Sequence, residues 1–536
     1  MTEHDYVIVG AGSAGAVLAA RLSESGRHSV LLLEAGGSDL RPWIQVPIGY
    51  GLTYNDPRYN WGYEAEADPA LGGRTTYVPR GKVLGGSSAI NAMVYVRGQA
   101  ADFDDWAAAG NPGWSWREVL PYFRRSEDSA LGPSACHGIG GPLHVADPSA
   151  DVHPLCHDFV AACGALGIRA TRDFNAGDLE GAGLWQVTIQ NGLRVSTASA
   201  FLRPALRRRN LEVLTRAHAT RVVIEAGAAR GVEYRRGGTQ CTARARREVI
   251  LAAGAINSPQ LLQLSGVGDP ALLAPLGIPV VRAAPAVGRG LQDHLAASYF
   301  FRSRVPTLND QLSPLWGKAW AGLRYVLTRR GPLAMSVNQA GAFVRSRPEL
   351  ARPNLHLYFN PISYTASAGP RRKLLNPDPF PAFLMSFNTC RPTSRGTVAI
   401  RSADPLAPPL IRTNYLSTAE DVADVYDGAR VLRRIAAAPP LAAAIEREYL
   451  PGPAVVADAD VLADFRARAG SVYHASCTCA MGPDPARAVV DARLRVHGVG
   501  RLRVVDASVF PSVTSGNTNA PTIMVAERAT DLILAD

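Results

Sequence analysis

Sulfur, lysine and aromatic rings are all scarce in this chain of 536 residues, and long apolar runs are absent. Its seven cysteines (Cys136, Cys156, Cys163, Cys241, Cys390, Cys477 and Cys479) are few and odd in number, which excludes a disulfide framework and fits a reducing, cytoplasmic compartment. No apolar stretch reaches membrane-spanning length, and the first strand-like run starts almost at Met1. A transmembrane helix or secretory leader is therefore not expected, and any membrane contact would be peripheral, at the inner membrane. Lysine is confined to Lys82, Lys318 and Lys373, so the formal charge of +10 comes almost wholly from arginine. Arginine bias beside abundant alanine points to a GC-rich, bacterial genome. The clusters Leu206–Asn210 and Arg244–Arg247 read as solvated faces, with no nucleic-acid partner implied. There is no internal repeat, and the length calls for two domains.

What is present is concentrated in a few glycine-rich stretches. Asp5-Tyr-Val-Ile-Val-Gly10 reads as a buried strand, Gly10-Ala-Gly12-Ser-Ala-Gly15 opens a helix, and Ser29–Glu34 forms a second strand ending in an acid. Gly10 permits the tight turn, Gly12 admits a pyrophosphate to the helix N-terminus, and Gly15 lets helix pack on strand. Glu34 can accept from an adenosine ribose. This is a dinucleotide-binding unit, and the motif alone does not separate FAD from NAD. Further on, Gly81-Lys-Val-Leu-Gly-Gly-Ser-Ser-Ala-Ile-Asn-Ala-Met-Val-Tyr-Val-Arg-Gly98 pairs Gly85 and Gly86 with Ser87, Ser88 and Asn91, as beside a large flat ligand. Alone, Gly-Gly-Ser-Ser could equally be a flexible turn.

Gly81–Gly98 and Gly254–Gly268 resemble the two signature stretches of the glucose–methanol–choline (GMC) flavoprotein oxidoreductases. Gly290–His294, Tyr473–Gly482, Val505–Pro511 and Ser515–Glu527 follow in the family's order. The resemblance implies FAD as the dinucleotide and oxidation of an alcohol. It also implies an α/β fold, with a Rossmann-like FAD-binding domain and a discontinuous second domain on a mainly antiparallel sheet covered by helices. Residues 1–152, 205–300 and 468–536 are expected in the first, and 153–204 and 301–467 in the second. Runs at Leu211–Thr215, Arg221–Ile224, Glu248–Ala252 and Leu502–Asp506 are expected to share the first sheet. Asn354–Phe359, Ala382–Phe387 and Gly396–Arg401 are expected in the second.

By the same resemblance His474 is the general base and Asn517 the donor to the substrate oxygen, with hydride delivered to flavin N5. FAD contacts are implied for Gly10, Gly12, Ser13, Ala14, Gly15, Glu34 and Ala35. They continue through Val83, Gly86, Ser87, Asn91, Ala92, Met93 and Val94, and then Val222, Asp506, Ala507 and Thr518. Ile90 stands where some members carry a histidine bonded to the flavin, so the FAD should be non-covalent. Asn519 caps a helix or positions the flavin. Cys477-Thr-Cys479 beside His474 lacks the complement of a closed zinc site and reads as structural, so no metal is expected. His294 reads as a packing and hydrogen-bonding residue near the domain junction.

Choline dehydrogenases and L-sorbose-type dehydrogenases look most similar within the family. Gln339 is aligned where relatives often carry glutamate, which disfavours a cationic substrate and favours a neutral primary alcohol or sugar-like polyol. Trp316, Trp320, Tyr358, Phe359 and Tyr364 could line its pocket or belong to the core. The electron acceptor is O2, a quinone or a dye. The family also holds lyases, namely hydroxynitrile lyases and light-driven fatty-acid decarboxylases; for the latter, Arg371, Arg372 or Arg391 could supply a carboxylate-binding cation.

Overall fold

The structure, a computed structural model, describes residues 2–365 and 376–536. Arg371 and Arg372 therefore lie outside the described residues. Two seven-stranded sheets organise the chain. The first runs in the order Leu211–Thr215, Val30–Glu34, Thr2–Val9, Thr239–Leu251, Ala228–Arg236, Ala217–Glu225. Leu502–Val504 adds a further parallel pair to Thr239–Leu251. Its centre is parallel, and Val7, Ile8, Val30, Leu31 and Leu32 are fully buried. Such uninterrupted apolar runs suit a sheet covered on both faces.

Helix Gly15–Leu22 follows the first strand so closely that a Cβ on Gly15 would lie 1.8 Å from the Gly10 carbonyl oxygen. Helices Trp116–Ser126 and Asn519–Leu534 pack beside one another, and the latter also packs on Gly15–Leu22. Glu527, fully buried on the last of these, is held by Arg21 and Arg125, each at 2.8 Å. Loss of either arginine would leave a buried charge poorly compensated, a defect of about 3–5 kcal/mol.

The second sheet is antiparallel throughout: Ile445–Leu450, Leu295–Ser303, Ala382–Thr389, Leu355–Asn360, Ala340–Val344, Gly181–Leu184, with Gly470–Ser471 beside Leu295–Ser303. Alternate residues face opposite ways. Leu357, Phe359, Phe383, Met385 and Phe387 share a core with Phe159, Val425, Leu432 and Phe465 of the covering helices. Tyr358, Asn360, Leu384 and Ser386 face the other side and line a cleft. Gly396–Ala399 does not join this sheet as expected. It pairs with Arg289–Leu291 and Leu410–Arg412 in a separate three-stranded sheet.

Strand Leu295–Ser303 crosses the division expected at residue 300, and Gly470–Ser471 lies in the second sheet. We propose that the chain divides just before Leu295 and just after Ser471. Both crossings fall next to residues of the site described below.

Candidate active site

Residues of both sheets line one cleft of about 2220 Å³, part of it open to solvent. Of the residues expected there, Gly10, Gly12, Ser13, Ala14, Glu34, Ala35, Gly86, Ser87, Asn91, Ala92, Met93, Val94, Asp506, Ala507 and Thr518 line it, as do His474, Asn517 and Ile90.

Three expected contacts lie off the cleft. Gly15 is occupied by packing on Gly10. Val83 is fully buried beside Ile44 and Ala89. The backbone N–H of Val222 donates to Ser265 Oγ at 2.8 Å, and it is Ala217, His218 and Ala219 of the same strand that reach the cleft. The strand was recognised and the register along it was not.

Two observations test the fit of a dinucleotide. Gly86 has φ +51°, and a Cβ there would stand 2.6 Å from Gly12 Cα, so the two glycine turns meet along a floor without side chains. Asn517 Oδ1 is buried beside the cleft without a hydrogen-bond partner among the described residues, an acceptor waiting for a ligand donor. Ser13 and Ala14, just before helix Gly15–Leu22, and Asn519 and Thr522, in the first turn of Asn519–Leu534, belong to the lining, so both helix N-termini face the cleft. Ser13 Oγ donates to Asn519 Oδ1 at 2.8 Å and ties these two starts together.

The two acids serve mainly as braces. Glu34 accepts from the N–H groups of Ala11 (2.9 Å) and Gly36 (2.7 Å), while burial raises its pKa to about 7. Asp506 accepts from Gly254 N–H, Ser258 Oγ and Ser508 N–H, at 2.9, 2.6 and 2.8 Å.

At the opposite end lies His474. Two segments run antiparallel here, Gln292 opposite Ser476 and Leu295 opposite Ser471, which brings His294 across from His474. Asp293 Oδ1 accepts from the His474 N–H at 2.7 Å, and its Oδ2 accepts from Tyr415 Oη and Ser471 Oγ. Tyr473 holds a left-handed backbone, φ +74°, with its carbonyl accepting from Arg80. A non-glycine residue in that region is strained and persists only where its surroundings enforce it. The N–H groups of Cys477 and Cys479 donate to the carbonyls of Ala507 and Ser508, and Cys477 Sγ donates to Gln292 Oε1. The Cys-Thr-Cys stretch thus braces the histidine loop against its neighbours.

The hydrogen bonds also fix where the imidazole protons sit. His294 Nε2 lies 2.9 Å from the Cys390 carbonyl oxygen, which can only accept, so that nitrogen carries the proton. Burial lowers the pKa of His294, leaving the ring neutral and Nδ1 bare. His474 Nδ1 lies 2.8 Å from that nitrogen and must donate to it. The His474 pKa is pushed well below 6.5, first by burial and then by His294, His356 and Arg80. Its ring is neutral too, and its lone pair sits on Nε2, which accepts from Asn517 Nδ2 at 3.1 Å. His294 is therefore in direct contact with His474, a placement that no spacing in the sequence indicates.

Five further residues that the sequence singled out lie off the cleft. Gln339 is buried off the cleft, accepting from the His153 N–H at 2.8 Å, so it says nothing about substrate charge. Phe359 belongs to the core of the second sheet, one residue out of phase with Tyr358. Trp316 and Trp320 are 73% and 63% exposed on the outer surface, whereas Tyr358 and Tyr364 do line the cleft. Arg391 lies off the cleft, donating to the Pro353 carbonyl.

A cleft floored by glycines at one end and closed by a neutral histidine at the other defines a dinucleotide-dependent oxidoreductase. Comparison with known proteins makes the assignment specific: the chain belongs to the GMC oxidoreductase family, whose N-terminal model matches residues 4–296 and whose C-terminal model matches 392–526. It is 44% identical to an oxygen-dependent choline dehydrogenase of Vibrio vulnificus, over all of this chain and 95% of that one. It is 42% identical to an alcohol dehydrogenase [acceptor] of Pseudomonas putida, over 99% and 96% of the two chains. Among solved structures, pyridoxine 4-oxidase from Mesorbium loti superposes with a TM-score of 0.88 at 32% identity, covering 98% of each chain. FAD is accordingly the dinucleotide, and the protein is an FAD-dependent oxidoreductase.

Proposed function

We propose that the protein oxidises a neutral primary alcohol or polyol to the carbonyl compound. The observation carrying this reading is the unprotonated Nε2 of His474, which lines the cleft and accepts from the Asn517 amide there. An alcohol hydroxyl that takes the place of this Asn517 hydrogen bond donates its proton to Nε2 and accepts from the freed Asn517 Nδ2–H. The resulting imidazolium keeps its Nδ1–H on His294, whose Nε2–H remains on the Cys390 carbonyl. Asp293 accepts from the His474 backbone N–H and holds the histidine loop in place. FAD, held non-covalently along Gly10–Ala14, Glu34 and Gly86–Val94 with Ile90 beside it, would supply the acceptor for the carbon-bound hydrogen and its electron pair.

Neutrality of the substrate is inferred from the lining. Among the described lining residues the carboxylates are Glu34 and Asp506, both at the dinucleotide end and both held by backbone N–H groups. The alcohol end offers Ser298, Asn338, Tyr358, Asn360, Tyr364 and Ser386, which suit hydroxyl groups. A choline-type substrate is the alternative, and it is the one that the relatives favour most. Several relatives are named choline dehydrogenases, and Tyr50, Tyr54, Tyr358 and Tyr364 could hold a quaternary ammonium by cation–π contact.

Comparing choline with its neutral isostere, in which a tert-butyl group replaces the trimethylammonium, decides between the two. The expected outcome is a kcat/KM at least about tenfold higher for the isostere, about 1.4 kcal/mol of discrimination. A preference for choline of that size would establish the second reading.

A further inference from the structure

Helix Leu315–Thr328 buries little of its own surface. Only Gly317, Ala321 and Tyr325 are buried, a strip one residue wide repeating every helical turn. On the opposite side Trp316, Trp320, Leu323 and Leu327 recur every three to four residues and form one apolar stripe, exposed by 73%, 63%, 50% and 73%. Leu315 and Val326, 84% and 71% exposed, widen it. Fully exposed apolar ridges of this kind are uncommon on a protein bathed only in water. Two tryptophans make it more so, since an indole combines a large apolar body with one polar N–H.

The charges around the stripe are of one sign. Lys318, Arg324, Arg329 and Arg330 are exposed and make no ion pair among the described residues, so their charge is not neutralised within the protein. From Leu315 to Ala334 the sequence holds no aspartate or glutamate. Chemistry that matches apolar side chains with indoles in the middle and cations at the margin is that of a phospholipid surface carrying anionic headgroups. A protein partner or a second copy of this chain would need acidic groups around an apolar groove.

We infer that this helix is a membrane-docking ridge, which seats the protein on an anionic bilayer with Trp316, Trp320, Leu323 and Leu327 in the acyl–headgroup boundary. The ridge lies over the alcohol end of the cleft. Its buried Ala321 packs in the same cluster as Tyr50, Tyr54, Val337, Tyr364 and Leu384, all of which line the cleft. Docking would therefore bring the alcohol end of the cleft close to the lipid. The inference does not depend on which alcohol is oxidised.

The test uses the full-length, FAD-loaded protein in sedimentation with two kinds of vesicle, pure phosphatidylcholine and phosphatidylcholine mixed with phosphatidylglycerol. The protein should pellet with the mixed vesicles and should be released by salt. Combined Trp316→Ser, Trp320→Ser and Leu323→Ser should lower partitioning by about tenfold or more. Combined Lys318→Gln, Arg324→Gln and Arg329→Gln should lower it on the anionic vesicles only. Both variants should keep bound flavin and wild-type turnover of a water-soluble alcohol. A measurement needing no variant is quenching of tryptophan fluorescence by phospholipids brominated on the acyl chain, expected for the wild type. Protein that stays in the supernatant with both vesicles, or a serine variant that partitions like the wild type, would overturn the inference. So would light scattering that finds a wild-type dimer and a monomeric serine variant, since the ridge would then be an interface between copies.

Discussion

The half of the cleft that we assign to the dinucleotide is built from backbone, whereas the half that we assign to the alcohol is built from side chains brought together from distant segments. In the first, Gly10, Gly12 and Gly86 leave space, two helix N-termini face the cleft, and Glu34 and Asp506 brace the turns. In the second, His474 depends on His294, 180 residues earlier, and on Asn517, 43 residues later. A backbone site tolerates change in its neighbours and fails when a glycine gains a side chain. A side-chain site keeps its shape and fails when a single proton is misplaced.

His474→Ala gives the sharpest separation of the two halves. Turnover should fall by about 10²–10⁴-fold, the usual worth of a general base. Flavin absorbance should persist, because nothing in the glycine-lined half contacts that side chain. Undiminished turnover would remove His474 from the chemistry.

Gly86→Ala is the reciprocal change. A Cβ at 2.6 Å from Gly12 Cα, on a residue at φ +51°, requires the two backbones to part. The variant should purify with a much reduced ratio of flavin to protein, and the fold should lose about 1–3 kcal/mol. Stoichiometric flavin in this variant would show that the floor of the cleft does not need both glycines.

The same contrast explains what could be read in the sequence. Glycine turns have local causes, so Gly10–Gly15, Gly85–Gly86 and the strands beside them were legible from spacing. Contacts set by register were not. Val222 was expected at the cleft, yet Ala217–Ala219 of the same strand line it, because a strand's pattern does not say which of its residues reach a cleft. For Tyr358 and Phe359 the sequence left pocket and core open, because every residue of their strand is buried and neither face is marked by polarity. His474 and Asn517 were legible only through family resemblance. The contact of His294 with His474 arises from an antiparallel pairing across some 180 residues, for which local sequence carries no signal. Trp316 and Trp320 failed for the opposite reason: burial was assumed for rings that the helix turns outward.

His294→Phe probes the side-chain half without removing the base. The Nδ1–H of His474 loses its acceptor, so the proton is free to move to Nε2, and kcat/KM should fall about tenfold or more. His294→Gln keeps an acceptor and should recover part of the loss. The pH profile separates this from general damage. In the wild type the acid limb of kcat/KM should lie below pH 6.5, because the depressed pKa keeps His474 neutral to lower pH. Removing His294 takes away one of the neighbours that depress it, so the limb should move upward. An unmoved limb would mean that the two rings are not coupled.

A smaller effect tests the comparison from outside the cleft, at a buried histidine held in the opposite charge state. His137 lies between two carboxylates, Nδ1 3.1 Å from Glu127 and Nε2 2.7 Å from Asp173, and Glu127 also pairs with fully buried Arg97 at 2.6 Å. The cluster anchors the chain just beyond Val94, where Arg97 N–H donates to Asn175 Oδ1 at 3.0 Å. Burial alone would lower the His137 pKa, but hydrogen bonds to Asp173 and Glu127 outweigh it and raise the value to about 9. The folded pKa exceeds the unfolded value near 6.5. The stabilisation is therefore complete below pH 6.5 and is lost as pH rises through 9. His137→Gln should cost about 1–3 kcal/mol at pH 6, seen as a lower melting temperature. The gap from wild type should narrow steadily between pH 7 and 10, because above pH 9 both proteins hold Glu127 and Asp173 against Arg97 alone. A gap of constant size would show that His137 acts by shape and hydrogen bonding, and that His474 is not matched by a second histidine working through its charge.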